Sequence, residues 1–331
     1  MKRWSFWLSV FLIAALSLTG CGKAADDGGG AESEGGEQQL ALGTGSTGGT
    51  YYPLGGAMAN QWNKDVDGVK VTPQATGASV ENMALIGKGD LDLGMAVNMT
   101  ADDAYNGKAD FKGQAVKNFG AVGVIYPEVI QIVVPKDSDI QSIKDLKGKR
   151  VAVGPQGSAS VNTTRDILKA HGLSFDDIKP FYDAFGDAAT KLKDGQLDAS
   201  FGILGLPASS IEEITASEEV RLLGVDDGAL KKMQAERPFY QPLNIPGGTY
   251  KGQDEDVQTV TLKAVLYASN DLGEDLVYQL TKVMYQKRDT IAQAHETGKQ
   301  IDPEKALEGV TTPIHPGAKK YFEEKNIELP E

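Results

Sequence analysis

The chain has 331 residues, a formal net charge of −13 and a single cysteine. An acidic excess on this scale repels nucleic acid and anionic headgroups, so neither is expected as a partner. One cysteine rules out a disulfide within the chain, and stability must come from burying a core.

Lys2 and Arg3 precede an apolar run from Trp4 to Leu18, which ends at Leu18-Thr19-Gly20-Cys21. A basic start, a short apolar core and small residues ahead of a cut describe an export signal over residues 1–20. The run is shorter than the roughly 20 residues that cross a bilayer. Its end resembles the lipobox of bacterial lipoproteins, whose signal is cut before the cysteine and whose new terminus receives acyl chains, palmitate among them. That resemblance makes Cys21 a lipid anchor and puts the mature protein outside the cytoplasmic membrane, at the cell surface or in a periplasm. Loss of Lys2 and Arg3 with the signal would leave a charge of −15. Gly22 to Gln39 reads GKAADDGGGAESEGGEQQ, so residues 21–39 are expected to form a flexible, self-repelling tether.

The folded part starts with the apolar Leu40-Ala41-Leu42, which runs into Gly43-Thr44-Gly45-Ser46-Thr47-Gly48-Gly49-Thr50-Tyr51-Tyr52. Leu54, Ala57, Met58 and Trp62 then fall on one helical face. Val69 to Val71 predicts a strand, Thr76-Gly77-Ala78-Ser79 a loop, and Ser79 the N-cap of a second helix ending near Gly87 to Gly89. Leu91 to Val97 predicts a further strand. The same order recurs later: strand Val151 to Val153, loop Gly154 to Ser160, and a helix with Val161, Thr164, Ile167 and Leu168 on one face. A strand near Ile178 to Tyr182, a helix near Ala188 to Lys193 and a strand from Leu197 to Ile203 complete it. Gly89-Asp90-Leu91-Asp92 and Gly195-Gln196-Leu197-Asp198 hold equivalent places in the two series. Two apolar segments, Val129 to Pro135 and Val260 to Tyr267, are suited to join the two units. The expectation is an α/β, two-lobed clamshell with hinge strands between the lobes. Residues 40–132 with 251–331 form lobe 1, residues 133–250 form lobe 2, and helices from Glu274 to Ala294 close the first.

In open α/β sheets ligands sit beyond the carboxyl ends of the strands, where helix N-termini offer free N–H groups and partial positive charge. Gly45 and Gly157 allow close backbone approach, while Ser46, Thr47, Thr50, Ser79 and Ser158 add hydroxyls. Three such loops facing one cleft make a neutral cup for an anion, and Tyr51, Tyr52, Tyr126 or Phe201 suit an aliphatic stem. If the ligand is an amino acid, Glu81, Glu128 or Asp183 is available to accept its ammonium. Gly43-x-Gly45-x-x-Gly48 matches the dinucleotide fingerprint in form, yet the following strand ends in Gln74-Ala75-Thr76 with no acid for a ribose. No Gly-Lys-Ser/Thr and no Gly-x-Ser-x-Gly occurs, and His171, His295 and His315 lack metal-ligand spacing. No cofactor, metal or enzyme activity is therefore expected. His171 fits a helix C-terminus, and Asp102-Asp103, Asp226-Asp227 and Glu323-Glu324 are expected as solvated pairs.

The runs LALGTGSTGGTYYPLGGAMA, ATGASVENMALIGKGDLDLGM, DLKGKRVAVGPQGSAS and LKDGQLDASFGILGLP resemble the TAXI solute receptors, the extracytoplasmic binding subunits of TRAP transporters. The resemblance spans Leu40 to about Leu329. It implies a type II-like periplasmic-binding-protein clamshell, a small carboxylate ligand such as glutamate or a dicarboxylate, and a TRAP permease in the membrane as partner. Family ligand loops map onto Gly45, Ser46, Thr47, Gly48, Thr50 and Tyr51, onto Thr76, Ser79 and Asn82, and onto Gln156, Gly157, Ser158 and Ser160. Gly202 to Pro207 is a weaker match. Two rivals share these features: a binding lipoprotein of an ATP-driven importer for a sulfonate, phosphonate or thiamine precursor, and a ligand-sensing subunit of a membrane signalling system.

Overall fold

The computed structural model describes residues 37–330, so the export signal, Cys21 and nearly all of the expected tether lie outside the described residues. The tether is shorter at its end than the sequence suggests. Gln38 and Gln39 are already paired in the first strand, β1 (Gln38–Gly43). There follow α1 (Tyr51–Asp65), β2 (Val69–Gln74), α2 (Ser79–Lys88), β3 (Leu93–Val97), α3 (Asn98–Asn106) and the long β4 (Phe119–Pro135). The second series is β5 (Arg150–Ala152), α4 (Ala159–Ala170), β6 (Lys179–Phe181), α5 (Phe185–Lys193) and β7 (Ala199–Leu204). It continues with α6 (Ser209–Thr215), β8 (Val220–Leu222), α7 (Asp227–Glu236), β9 (Gln241–Ile245) and β10 (Val257–Ser269). The chain finishes with α8 (Glu274–Gln286), α9 (Arg288–Ile291) and α10 (Pro316–Glu324).

All ten strands join one sheet, in the order β2-β1-β3-β10-β4-β7-β5-β6, with β9 on β10 and β8 on β4. The order is palindromic in kind. In each half a parallel trio (β2-β1-β3, or β6-β5-β7) meets a long strand running antiparallel to it. The long strands β4 and β10 pair with each other from Thr261↔Val129 to Ser269↔Phe119, and both continue into the second half. The two apolar segments expected to connect the lobes are thus parts of two longer strands, the end of β4 and the middle of β10.

Helices cover both faces of each half, as a largely buried sheet requires. In the first half Leu54, Met58 and Trp62 of α1 pack with Leu280 and Met284 of α8 and Phe322 of α10, and the Trp62 indole N–H donates to the Leu280 carbonyl at 2.9 Å. The opposite face buries Met83 and Ile86 against Phe119 and Tyr267. In the second half Ile167 and Leu168 of α4 pack on Ile132 and Phe201, and α5 and α6 bury Leu192, Ile211 and Ile214. Phe201, a cleft candidate by sequence, is therefore core.

The internal echo extends to hydrogen bonds. Asp92 accepts from the Ala41 N–H at 2.7 Å within β1, and Asp198 accepts from the Arg150 N–H at 2.7 Å at the start of β5. Each aspartate's own N–H returns to the same residue's carbonyl, at 3.1 and 2.8 Å. Likewise the Ser79 hydroxyl accepts from the Val97 N–H and the Ser160 hydroxyl from the Ile203 N–H, both at 3.2 Å. Ser79 is consequently not the N-cap expected of it. Ala78 holds that position at φ 81°, and Ser79 is the first helical residue, its oxygen committed to β3.

Candidate functional site

β4 carries two register shifts against β10, which leave Ile125 and Val122 without a partner in the pairing. Bulges of this kind re-aim a strand. Just past them, Tyr126-Pro127-Glu128, still paired with β10, is the stretch by which β4 crosses into the second half, where it pairs with β7 from Val129 on. This crossing is the floor of a small cavity, lined from the first half by Ser46, Thr50, Tyr51, Ser79, Tyr126 and Glu128 and from the second by Ser158, Ser160, Phe185, Ile203 and Leu204. Gly45, Gly49, Ala78, Val97 and Ala159 complete the wall, which holds no Lys, Arg or His.

Four polar atoms on this wall are buried without a hydrogen-bond partner: the hydroxyls of Ser46, Tyr51 and Ser158, and Oε2 of Glu128. Buried polar groups are normally paired, so a cluster of orphans facing one space marks a place for a polar guest. The first-turn N–H groups of α1 and α4 add donors, since a helix start leaves such groups free. Neither Thr50 nor Ser158 bonds its own helix as a side-chain cap. Ser79 and Ser160 also line the cavity, and with their oxygens already accepting, each keeps its O–H to donate.

Glu128 is 3 % exposed and enters no ion pair among the described residues. Its Oε1 accepts from the Tyr126 hydroxyl at 2.8 Å, and Tyr51 crosses Tyr126 edge-to-face with ring centroids 6.2 Å apart. Burial raises the Glu128 carboxyl to about 8, an effect that the neighbouring phenols of Tyr126 and Tyr51 only partly offset. Both phenols are themselves pushed up by burial and by the carboxylate beside them.

Of the site residues expected from sequence, Gly45, Ser46, Thr50, Tyr51, Ser79, Tyr126, Ser158 and Ser160 line the cavity. The others lie elsewhere for distinct reasons. Thr47 and Tyr52 face solvent. Asn82 is buried and ties β1 to β3, donating to the carbonyls of Thr44 and Met95 at 2.8 Å each. The Thr76 hydroxyl donates to Asn82 and accepts from the Ala78 N–H. Gly48, Gln156 and Gly157 form the seam between halves. A Cβ on Gly48 would meet the Gly186 nitrogen at 2.5 Å, and one on Gly77 the Gln156 carbonyl oxygen at 2.2 Å. The Gly157 carbonyl accepts from Val80 and Glu81 at 2.8 and 3.1 Å, so the start of α2 is capped from across the cleft. Only two of the three expected loops therefore keep free helix ends for an anion.

Further bonds close the same seam. The Gly205 N–H donates to the Thr50 hydroxyl at 2.9 Å, which accounts for the weakly matched Gly202 to Pro207 loop. Asp103, expected as a solvated acid, is 6 % exposed and ion-paired with Arg237 of the other half. Its partner lies 134 residues away, beyond any local signal. Phe185, Ile203 and Leu204 were missed because apolar residues at a strand end or helix start read as core. His171 does sit at the α4 C-cap, its Nδ1 at 2.8 Å from the Ile167 carbonyl. No cluster of potential metal ligands occurs, and no helix is long and apolar enough to cross a membrane, among the described residues.

The sequence profile of the NMT1-like family matches residues 42–325, nearly the whole described region. The chain belongs to the NMT1-like family. Within that frame, a 73-residue stretch is 38 % identical to a putative aliphatic sulfonates-binding protein of Escherichia coli strain K12, over 22 % of this chain and 23 % of that protein. The match thus spans about a quarter of the curated relative's length. Among solved structures, a putative L-cystine ABC transporter protein from Listeria monocytogenes superposes with a TM-score of 0.51 at 17 % identity, over 80 % of this chain and 98 % of that one. PhnD1 from Prochlorococcus marinus (MIT 9301), in complex with methylphosphonate, does so with 0.51 at 16 % identity, over 87 % and 96 %. At these identities the likeness is one of fold: the mixed α/β, two-lobed architecture of periplasmic substrate-binding proteins. The TAXI resemblance rests on the sequence motifs alone.

Proposed function

We propose that this family member is an extracytoplasmic solute-binding protein that closes two lobes over a small molecule bearing an anionic group and presents it to a membrane importer. The observation that carries this reading is the cavity shared by both halves, with four buried polar atoms facing it unpartnered. In this reading residues 40–132 with 251–331 form one jaw and 133–250 the other, β4 and β10 are the hinge, and hydroxyls with the first turns of α1 and α4 hold the anion. Neutral donors suit a carboxylate, sulfonate or phosphonate alike. The relatives named above, a putative aliphatic sulfonates-binding protein and a putative L-cystine ABC transporter, favour an ATP-driven importer as the partner over the TRAP permease implied by the motifs. A TRAP-coupled carboxylate receptor is the second reading, supported by the glycine/hydroxyl run at Gly43 to Tyr52. The export signal and Cys21 favour attachment to the outer membrane face through lipid.

The test is a thermal-shift screen of small carboxylates, sulfonates and phosphonates, followed by titration calorimetry on the hits. A ligand at 100 times its Kd stabilises by about 2.7 kcal/mol, and Ser46→Ala with Ser158→Ala should weaken its binding about tenfold or more. A screen in which no member of the three classes raises the melting point rejects the proposal. A purified complex with a co-purifying ATP-binding subunit, rather than a many-spanning permease alone, decides between the two readings.

A further inference from the structure

We propose that the ligand of this cavity is a zwitterion, whose protonated amine is held by Glu128 while its acid group is held by the serine hydroxyls and helix starts opposite. The proposal deepens the reading of the cavity as a solute site and rests on it. Glu128 offers the chemistry for a cation, and no cationic side chain pairs with it among the described residues. One oxygen is engaged by the Tyr126 hydroxyl, the other is buried and unpaired, and no Lys, Arg or His lines the space. A purely anionic ligand could use this group only in its protonated form, as a single donor. An ammonium would find a charge-assisted acceptor in Oε2, with the Tyr51 hydroxyl as a second acceptor and two aromatic rings alongside.

The other acids considered for this role lie outside the cavity wall. The Glu81 carboxylate accepts from the Gly77 N–H at 2.7 Å, outside the cavity wall. Asp183 pairs one oxygen with Lys191 at 2.6 Å, and although its other oxygen is buried without a partner, the residue is absent from the lining. The position of Glu128, at the point where β4 passes between halves, puts a bound amine on the hinge itself. Amine recognition and closure then act on the same strand.

The titratable groups that face Glu128 are the phenols of Tyr51 on α1 and Tyr126 on β4. With its carboxyl raised to about 8, Glu128 is largely protonated at pH 7 in the empty cavity. An arriving ammonium displaces that proton: the O–H bond of the carboxyl breaks, the carboxylate pairs with the amine, and one proton leaves to the buffer.

The experiment compares amine-bearing acids with des-amino partners of the same length on the full-length protein: taurine with ethanesulfonate, 2-aminoethylphosphonate with ethylphosphonate, glutamate with glutarate. Calorimetry at pH 7 in buffers of different ionisation enthalpy counts the protons. In whichever series binds, the amine-bearing member should be tighter by about ten- to a hundredfold, the worth of a charge-assisted hydrogen bond, and should release close to one proton. Glu128→Gln should collapse that ratio toward one and abolish the release. A des-amino partner that binds equally well or better in the wild type overturns this inference and leaves the solute site standing. If no member of any series binds, the solute site itself is rejected, and the inference falls with it.

Discussion

Burial of Glu128 sets a sign that stability measurements read directly. Its folded carboxyl, at about 8, lies above the ordinary value of 4.5. The folded state therefore holds a proton that the unfolded chain releases, and its contribution is favourable below the unfolded value and lost as pH rises through the folded one. In the empty protein Glu128→Gln should leave the melting temperature nearly unchanged at pH 4 and raise it by several degrees at pH 9. Parallel melting curves of wild type and variant across that range would refute the strained carboxyl. Asp198 runs the other way. The Arg150 side chain and the Arg150 backbone N–H hold its carboxylate below the usual range. Its stabilisation is present above about pH 4 and disappears as pH falls through the lower folded value. Asp198→Asn should cost about 1 kcal/mol or more in chemical denaturation at neutral pH, with the gap to wild type closing in strong acid.

At the scale of elements, the sequence carried order better than partnership. Glycine punctuation and apolar periodicity mark β1-α1-β2-α2-β3 and its repeat, because these signals act within a dozen residues. The match between Gly89 to Asp92 and Gly195 to Asp198 corresponds to real equivalence, down to the two aspartate-to-strand bonds. What stayed hidden depends on residues far apart in the chain. The Ser79 hydroxyl was recruited by Val97, the start of α2 by the Gly157 carbonyl, and Asp103 by Arg237. Glu128 was one of three acids equally eligible on composition, and only the strand crossing singles it out. The seam suggests a sharp test of its own. Gly77 has no space for a methyl group: a Cβ there would meet the Gln156 carbonyl oxygen across the seam at 2.2 Å, and the movable Glu81 carboxylate of its own half at 2.7 Å. Gly77→Ala should therefore weaken ligand binding about tenfold or more, as overpacking of 1–3 kcal/mol would, with little change in the melting temperature of the empty protein. Undiminished affinity in that variant would remove the seam from the binding step.

For the whole molecule, a ligand that touches both halves favours the arrangement in which they meet. Scattering measurements should show a smaller radius of gyration once a ligand from the screen is added, and an unchanged radius would argue against hinge closure. Attachment is checked separately: in cells, radiolabelled palmitate should appear on the wild type and be absent from Cys21→Ser. The strand plan has one more practical outcome. The polypeptide enters its second half along β4 and comes back along β10, and these are immediate neighbours in the sheet. Both splice points for a transplant of that half thus lie side by side, so a graft from a relative needs only two adjacent joins to exchange one wall of the binding chamber while Glu128 and the opposite wall stay in place.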